Sequence, residues 1–147
     1  MFKTILVASD LSEASTAAIT CGRELARKLD ANMHLVHVVA DPSGLPWTAE
    51  AFAVPLTELV AGWQEQARHD LLQLLPLEER AGTTIGTPLG MPDVEIIRYA
   101  MGHHVELIVM GTHGRGGLQH FVLGSVAERV ARKAPCAVLI ARQPAAT

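Results

Sequence analysis

A glycine-rich stretch covering residues 111–125 has the residue types and spacing needed to bind an anion. Gly111 and Gly114 begin it, nine residues follow, and Gly124 and Ser125 end it. The largely apolar run before it predicts a buried strand, and the residues after it predict a short helix. Orphan backbone N–H groups at a helix start bind anions, and glycines let the anion approach closely. The stretch therefore predicts a site for the phosphates of a nucleotide.

Two better-known phosphate motifs are absent from the sequence. No G-x-x-x-x-G-K-[ST] occurs, so the lysine that serves phosphoryl transfer in P-loop proteins is missing. No G-x-G-x-x-G follows the first predicted strand, which argues against a dinucleotide fingerprint. Arg115, inside the loop, could neutralise phosphate charge.

The composition is that of a folded protein without a nucleic-acid surface. Of 147 residues, 49% are hydrophobic and 18% are charged, and the formal net charge is −3. This length and composition predict a single domain over residues 1–147, without a basic surface for nucleic acid. No run is long and apolar enough to predict a signal peptide or a membrane span. Cys21 and Cys136 show no metal or redox spacing and predict buried, reduced thiols, so we expect a cytoplasmic protein with no membrane partner.

Apolar strands alternate with amphipathic helices along the whole chain. The predicted strands cover residues 4–8, 32–39, 83–85, 105–110 and 136–141. The predicted helices begin at Ser12 as N-cap, after Pro55, at Pro92 and after Ser125. Trp63 and the leucine stripe of the second helix predict core positions. This βαβαβαβαβ pattern predicts a parallel sheet with helices on both faces.

In such folds the ligand lies beyond the carboxyl ends of the strands, where the strand order reverses. Residues 8–10, residues 38–41 and the glycine-rich stretch all follow predicted strands. We therefore expect these three segments to meet at one crevice.

The chain resembles the universal stress protein family. The resemblance rests on the glycine spacing just described and on residues 3–10, 35–38, 108–114, 124–130 and 135–140, and it covers nearly the whole chain except residues 41–56. The resemblance implies an α/β fold, a three-layer α/β/α sandwich with a Rossmann-like, five-stranded parallel sheet in the order 3-2-1-4-5. It also implies ATP as the ligand, because family members that keep the glycine loop bind it.

The resemblance assigns the candidate site residue by residue. Val38 would meet adenine through its backbone, Asp10 would lie near the ribose, and Ser125 would hold phosphate with its hydroxyl. The full implied set is Ala8, Ser9, Asp10, Val38, Met110, Gly111, His113, Gly114, Arg115, Gly124, Ser125 and Val126. Ala8 stands where the family commonly has proline, which should alter loop stiffness rather than remove a contact. A Mg²⁺ ion would be held mostly by phosphates and water, with Asp10 as a further ligand.

Several of these residues have simpler interpretations. Asp10 could cap the first helix, and that role and the ligand role are evenly matched and compatible. His37 is interpreted as a structural histidine within a strand. The histidines at 103, 104, 113 and 120 lack a carboxylate or cysteine that would complete a metal site, so no resident metal is predicted. No catalytic residue is predicted, since Ser125 lacks a G-x-S-x-G setting and His113 has no nucleophile.

Three functions remain open on the sequence. The first is an ATP-binding regulatory protein whose nucleotide state tunes its interaction with a protein partner of unknown identity. The second is a slow ATPase or a phosphoryl- or adenylyl-transferring enzyme, which the missing lysine argues against. The third is a partner-binding module with an unused crevice. In the first case the family resemblance implies a homodimer through the last strand, residues 136–141, whose uncovered edge would invite pairing.

Overall fold

The computed structural model describes residues 1–44, 55–112 and 123–144. The strands are β1 (Thr4–Ala8), β2 (Asn32–Val36), β3 (Thr83–Gly86), β4 (Leu107–Gly111) and β5 (Ala137–Ala141). The helices are α1 (Thr16–Leu29), α2 (Leu56–Gln73), α3 (Leu77–Arg80), α4 (Pro92–Gly102) and α5 (Ser125–Lys133). Two 3₁₀ turns, Glu13–Ser15 and Pro42–Gly44, follow β1 and β2.

The five strands form one parallel sheet in the order β3-β2-β1-β4-β5, as predicted. The chain winds from β1 outward to β3, returns to β4 beside β1, and continues to β5 at the other edge. The strand order therefore reverses between β1 and β4. This is the switch point at which the ligand crevice of an open α/β sheet is expected.

The sheet separates two hydrophobic cores. Ile5 and Val7 of β1 pack on one face with Leu71 of α2 and the small residues of α1. Leu6 and Ala8 pack on the other face with residues of α4 and α5. Because successive side chains of a strand point to opposite faces, burial on both sides requires the continuous apolar run seen in the sequence.

The second strand is shorter than predicted. The ladder of β2 ends at Val36, where Ser9 donates its backbone N–H to the Val36 carbonyl at 2.9 Å. Beyond this point β1 has left the sheet, and only a single parallel bridge between Val39 and Leu89 continues the pairing. The prediction that His37 lies mid-strand is therefore wrong, because the apolar run outlasts the neighbouring strand.

The first helix begins differently from the prediction. Ser12 precedes a 3₁₀ turn and makes no side-chain capping bond to it. Its hydroxyl instead donates to the Asp10 carboxylate, which also accepts the Ser12 backbone N–H at 3.0 Å. An Asp side chain that bonds the backbone two residues on stabilises a local turn, so Asp10 holds the turn that precedes the helix.

Trp63 does not belong to the core, contrary to the prediction. Its exposed fraction is 37%, and that of Leu74 is 42%. The buried stripe of α2 is narrower and consists of Ala67 and Leu71, continued by Leu75. Hydrophobic spacing along a helix identifies a face, but it does not show how much of that face the neighbouring elements cover.

Cys21 and Cys136 are free thiols and only half-buried, where the sequence predicted burial. Burial raises the pKa of the Cys136 thiol, which disfavours its thiolate form. Within the described ranges, no helix combines the length and the apolarity required to cross a bilayer.

Candidate functional site

A cavity of about 580 Å³ opens at the carboxyl ends of β1, β2 and β4. It is lined by residues 8–11, 15, 36–40, 63, 66, 67, 70, 92, 96, 110–112 and 124–127. All three segments that the sequence assigned to one crevice contribute to it. The cavity has the size of a typical small-molecule or cofactor pocket.

The backbone of Val38 faces the opening left by β1. On either side of it, His37 donates its N–H to Gly86 and Val39 donates to Pro88, both on the β3 side. In extended backbone the polar groups of successive residues alternate in direction, so Val38 points to the opposite side, where β1 has ended. Among the described residues, neither polar group of the Val38 backbone has a backbone partner. A donor and an acceptor of the main chain therefore border the cavity side by side.

Ser9 and His37, which follow β1 and β2, line the cavity and contact each other. The His37 ring nitrogen Nδ1 lies 2.9 Å from the Ser9 carbonyl oxygen, which can only accept. Nδ1 therefore carries the proton in the neutral ring, and Nε2 is left as an acceptor. The Ser9 hydroxyl contacts the Ser15 hydroxyl at 2.9 Å and accepts the Leu11 N–H at 3.1 Å. Ser9 thus lines the cavity as predicted, but its hydroxyl is used within the protein.

Leu11, which sequence reasoning missed, lies in the turn after β1 with a φ of 66°. This left-handed conformation is uncommon for a bulky residue and costs free energy. The Ser9 and Asp10 side chains hold the turn through their bonds to the Leu11 and Ser12 N–H groups. The strained turn brings Asp10 and Leu11 into the cavity wall.

The amino terminus of α5 forms the opposite end of the cavity. Gly124 is its N-cap, and Gly124, Ser125, Val126 and Ala127 all line the cavity. The first intrahelical bond is donated by Glu128 to Gly124 at 2.9 Å, so the preceding N–H groups of the first turn have no acceptor in the helix. These N–H groups and the helix dipole, equivalent to roughly +0.5 charge, favour an anion here.

Gly111 lies against the main chain of the protein as well as against the cavity. A Cβ at this position would lie 3.0 Å from the Ala14 carbonyl oxygen, in the main chain of the 3₁₀ turn. The absent side chain makes room for the protein itself. Gly111 still lines the cavity beside Met110, which is buried at the end of β4.

One face of α2 forms a wall that the sequence analysis did not assign to the site. Trp63, Gln66, Ala67 and Asp70 line the cavity at the i, i+3, i+4 and i+7 positions of a single helical face. Gln66 donates its side-chain amide to the Asp70 carboxylate at 2.9 Å. The sequence predicts Trp63 and the leucine stripe of this helix as core, and the polar residues Gln66 and Asp70 beside Trp63 were the signal that could have distinguished a cavity wall from a buried face.

The charge of the described wall is acidic. Asp10 and Asp70 contribute carboxylates, and the described lining contains no lysine or arginine. Within the described residues, no group of three or more His, Cys, Asp or Glu side chains is placed to hold a metal ion. The Asp10 carboxylate and the Ser125 hydroxyl are oxygen donors of the kind that Mg²⁺ uses together with phosphate oxygens and water.

The structure places nine of the twelve predicted site residues around one cavity. These are Ala8, Ser9, Asp10, Val38, Met110, Gly111, Gly124, Ser125 and Val126. The other three, His113, Gly114 and Arg115, lie outside the described residues. The ligand contacts assigned to the twelve residues remain predictions.

A family model described as "Universal stress protein family" matches residues 1–142. The chain belongs to the universal stress protein family. Universal stress protein MJ0531 of Methanocaldococcus jannaschii is 36% identical in an alignment of 149 residues, which covers 98% of this chain and 84% of the relative. A universal stress protein of Thermus aquaticus is 32% identical, over 97% of this chain and the whole relative (100%).

Solved structures of this family share the fold. Protein MJ0577 superposes with a TM-score of 0.80 at 27% identity, covering 99% of each chain. UspA from Lactobacillus plantarum superposes with a TM-score of 0.75 at 28% identity, covering 96% of this chain and 98% of that one. A universal stress protein in complex with cAMP superposes with a TM-score of 0.63 at 19% identity, covering 96% of this chain and 97% of that one. At this identity the likeness is one of fold alone.

Proposed function

We propose that this universal stress protein binds ATP in the cavity and that its nucleotide state regulates its interaction with a protein partner. The observation that carries the proposal is the pairing of two main-chain features in one cavity. The Val38 donor and acceptor border one end, and the first turn of α5 borders the other. A base edge and a phosphate chain are the chemical groups that suit these two ends.

The sheet order supports one direction for the proposed nucleotide. Val38 follows β2, and α5 begins after β4, with β1 between the two strands. Neighbouring strands lie about 4.8 Å apart, so the two ends are on the order of 10 Å apart across the sheet. This span suits a base at β2, a ribose above β1 beside Asp10, and phosphates at Ser125 and Val126.

Charge balance supports Mg²⁺ as a companion of ATP. A triphosphate would enter a described wall that holds two carboxylates and no lysine or arginine. The first turn of α5 offsets only a fraction of that charge. Mg²⁺ would supply positive charge that neutralises the phosphates, with Asp10 and water completing its ligands. Arg115, outside the described residues, is proposed to contact the phosphates.

The regulatory part of the proposal includes a homodimer through β5. This strand is at the edge of the sheet, so one side of its ladder has no strand beside it in the described chain. Ala137 is exposed, and Val138, Leu139 and Ile140 are partly buried. An edge of this kind can pair with the same edge of a second copy in an isologous interface.

The proposal is tested by what the purified protein binds. We expect denatured protein to release adenine nucleotide that is detectable by chromatography. We also expect the nucleotide-free protein to bind ATP in calorimetry, more tightly with Mg²⁺ than with a chelator. Absence of ATP binding by folded, nucleotide-free protein would reject the proposal. An assay of phosphate release, run on the same samples, measures whether the bound ATP is hydrolysed.

A further inference from the structure

We propose that Trp63 of α2 is the stacking surface for the base, so that the site recognises nucleotides through a planar purine as well as through phosphate. This inference rests on the proposed nucleotide-binding function and deepens it. It assigns recognition to a helix face that lies outside both the strand ends and the glycine-rich stretch.

Trp63 is more exposed than the residues that anchor its helix to the core. Its exposed fraction of 37% contrasts with Ala67 and Leu71, which form the buried contact of the same helix. Trp63 instead lines the cavity together with Gln66 and Asp70. A half-exposed tryptophan beside polar side chains, at the wall of a cavity, is the arrangement expected for a ligand-binding aromatic residue.

The position of α2 places Trp63 at the base end of the cavity. The helix packs over β3, and Gln64 donates its side-chain amide at 2.7 Å to the carbonyl of Thr87, the residue after β3. In the sheet order, β3 is next to β2 and is separated from β4 by two strands. Trp63 is therefore on the side of Val38, across the sheet from the first turn of α5.

The chemistry of stacking defines the class of ligand. An indole ring offers a flat, polarisable surface that any base can stack on, and base–aromatic stacking contributes about 1–3 kcal/mol by alanine substitution. Stacking does not bind a phosphate chain, so Trp63 should distinguish ATP from inorganic tripolyphosphate. Hydrogen bonds at Val38 would then choose among the bases that stack.

The experiment compares Trp63→Leu with Trp63→Phe in calorimetry, using ATP and tripolyphosphate as probes. We expect Trp63→Leu to lower ATP affinity roughly ten- to a hundredfold, the range that corresponds to loss of one stacked base. Trp63→Phe should retain most of the affinity, because its ring still stacks. Tripolyphosphate affinity should be unchanged in both variants. Leu77→Ala is the matched control, since Leu77 is 77% exposed and does not line the cavity.

A second readout uses the fluorescence of Trp63 itself. The sequence contains two tryptophans, Trp47 and Trp63, so a Trp47→Phe background leaves Trp63 as the single emitter. We expect ATP to quench this emission and tripolyphosphate to leave it unchanged.

The outcomes separate the two proposals. If folded Trp63→Leu binds ATP with an affinity within about twofold of the parent protein, the stacking role is overturned and the proposed function is unaffected. An equal loss of ATP and tripolyphosphate affinity also overturns it, since that result indicates a distorted cavity. Failure of the parent protein to bind ATP rejects the proposed function, and with it this inference.

Discussion

At the scale of single residues, two glycines of the same motif have different surroundings. Gly111 makes room for the Ala14 carbonyl oxygen. Gly124 has φ −58° and ψ 154°, which any L-residue adopts, and its N–H donates to the Thr112 carbonyl at 2.6 Å. The backbone at 124 therefore does not require glycine, and we propose that the close approach of the ligand does.

The first prediction concerns Gly124→Val. We expect the fold to persist and ATP binding to become undetectable, because a β-branched side chain would occupy the approach to the first turn of α5. Circular dichroism checks the fold and calorimetry checks binding. Gly102→Val is the control, since a Cβ at Gly102 meets nothing within 4 Å and Gly102 is outside the cavity lining. Normal ATP affinity in folded Gly124→Val would contradict the proposed phosphate position.

The second prediction concerns Asp10→Ala. This change would remove the proposed ribose or Mg²⁺ contact, and it removes the acceptor that holds the Ser12 N–H. We expect ATP affinity to fall by roughly tenfold, less than in Gly124→Val, because a contact is lost but the cavity is not filled. Asp41→Ala, an exposed acid in an equivalent local turn, is the control. A loss as complete as in Gly124→Val would show that Asp10 does more than contribute one contact.

Residue-level prediction from the sequence succeeded where a motif fixed the spacing and failed where burial decided the role. The glycine spacing placed Gly124, Ser125 and Val126 at one helix start, as the structure has them. Trp63 was assigned to the core, since periodicity alone cannot distinguish a buried face from a cavity wall.

At the scale of elements, α1 packs so closely against β1 that Gly22 has no room for a methyl group. A Cβ at Gly22 would lie 2.2 Å from the Cγ2 atom of Val7, a fully buried and β-branched side chain. The small residues early in α1 allow this approach. The apolar spacing of α1 was visible in the sequence, whereas the partner that makes Gly22 necessary was not.

The third prediction follows from this contact. We expect Gly22→Ala to lower the free energy of unfolding by up to about 2 kcal/mol, because an overpacking cost of about 1–3 kcal/mol exceeds the gain of about 1 kcal/mol in helix propensity. Urea denaturation measures it, with Gly62→Ala as the control, since a Cβ at Gly62 meets nothing within 4 Å on α2. Adding Val7→Ala should recover part of the loss in a double-mutant cycle. Independent, additive effects of the two changes would contradict the proposed contact.

A second contact between elements joins β2 to α4. His34 lies with its Nδ1 2.9 Å from the Tyr99 hydroxyl, and the Tyr99 and His103 rings are stacked with centroids 3.8 Å apart. Burial, assisted by the neighbouring His103, lowers the pKa of His34 below its usual 6.5. Burial also raises the pKa of the Tyr99 hydroxyl, which keeps it a donor.

The fourth prediction uses this pKa. The unfolded chain binds a proton at His34 more readily than the folded chain, so stability should decline as pH falls below about 6.5. We expect His34→Gln to flatten this decline, measured as the melting temperature between about pH 7.5 and pH 5. His69→Gln, an exposed histidine on α2, is the control. An unchanged pH profile in His34→Gln would assign the decline to other groups.

At the scale of the whole molecule, the alternation of strands and helices was sufficient to predict a parallel sheet with two covered faces. The family resemblance supplied the order 3-2-1-4-5, which the structure has. The crevice was predicted from that order. Its second wall was not predicted, because hydrophobic periodicity assigned Trp63 of α2 to the core and does not show whether a neighbouring element covers that residue.

The fifth prediction concerns the edge strand β5. We expect the protein to form a homodimer that Ala137→Lys weakens about tenfold or more, because an isologous interface brings the two introduced charges close together. Light scattering coupled to gel filtration measures the mass across a dilution series. Ala131→Lys, at an exposed position of α5, is the control. A parent protein that is monomeric at all concentrations would contradict the dimer.

The cavity takes its walls from both layers of helices, with α2 on one side of the sheet and α4 and α5 on the other. A molecule bound there would contact both helix layers at the carboxyl ends of the strands. Neither layer could then separate from the sheet until the bound molecule dissociates. The free energy of unfolding should therefore rise with the concentration of the bound molecule, by about 2.7 kcal/mol at a hundred times its dissociation constant. Resistance to heat and to proteases should rise with it.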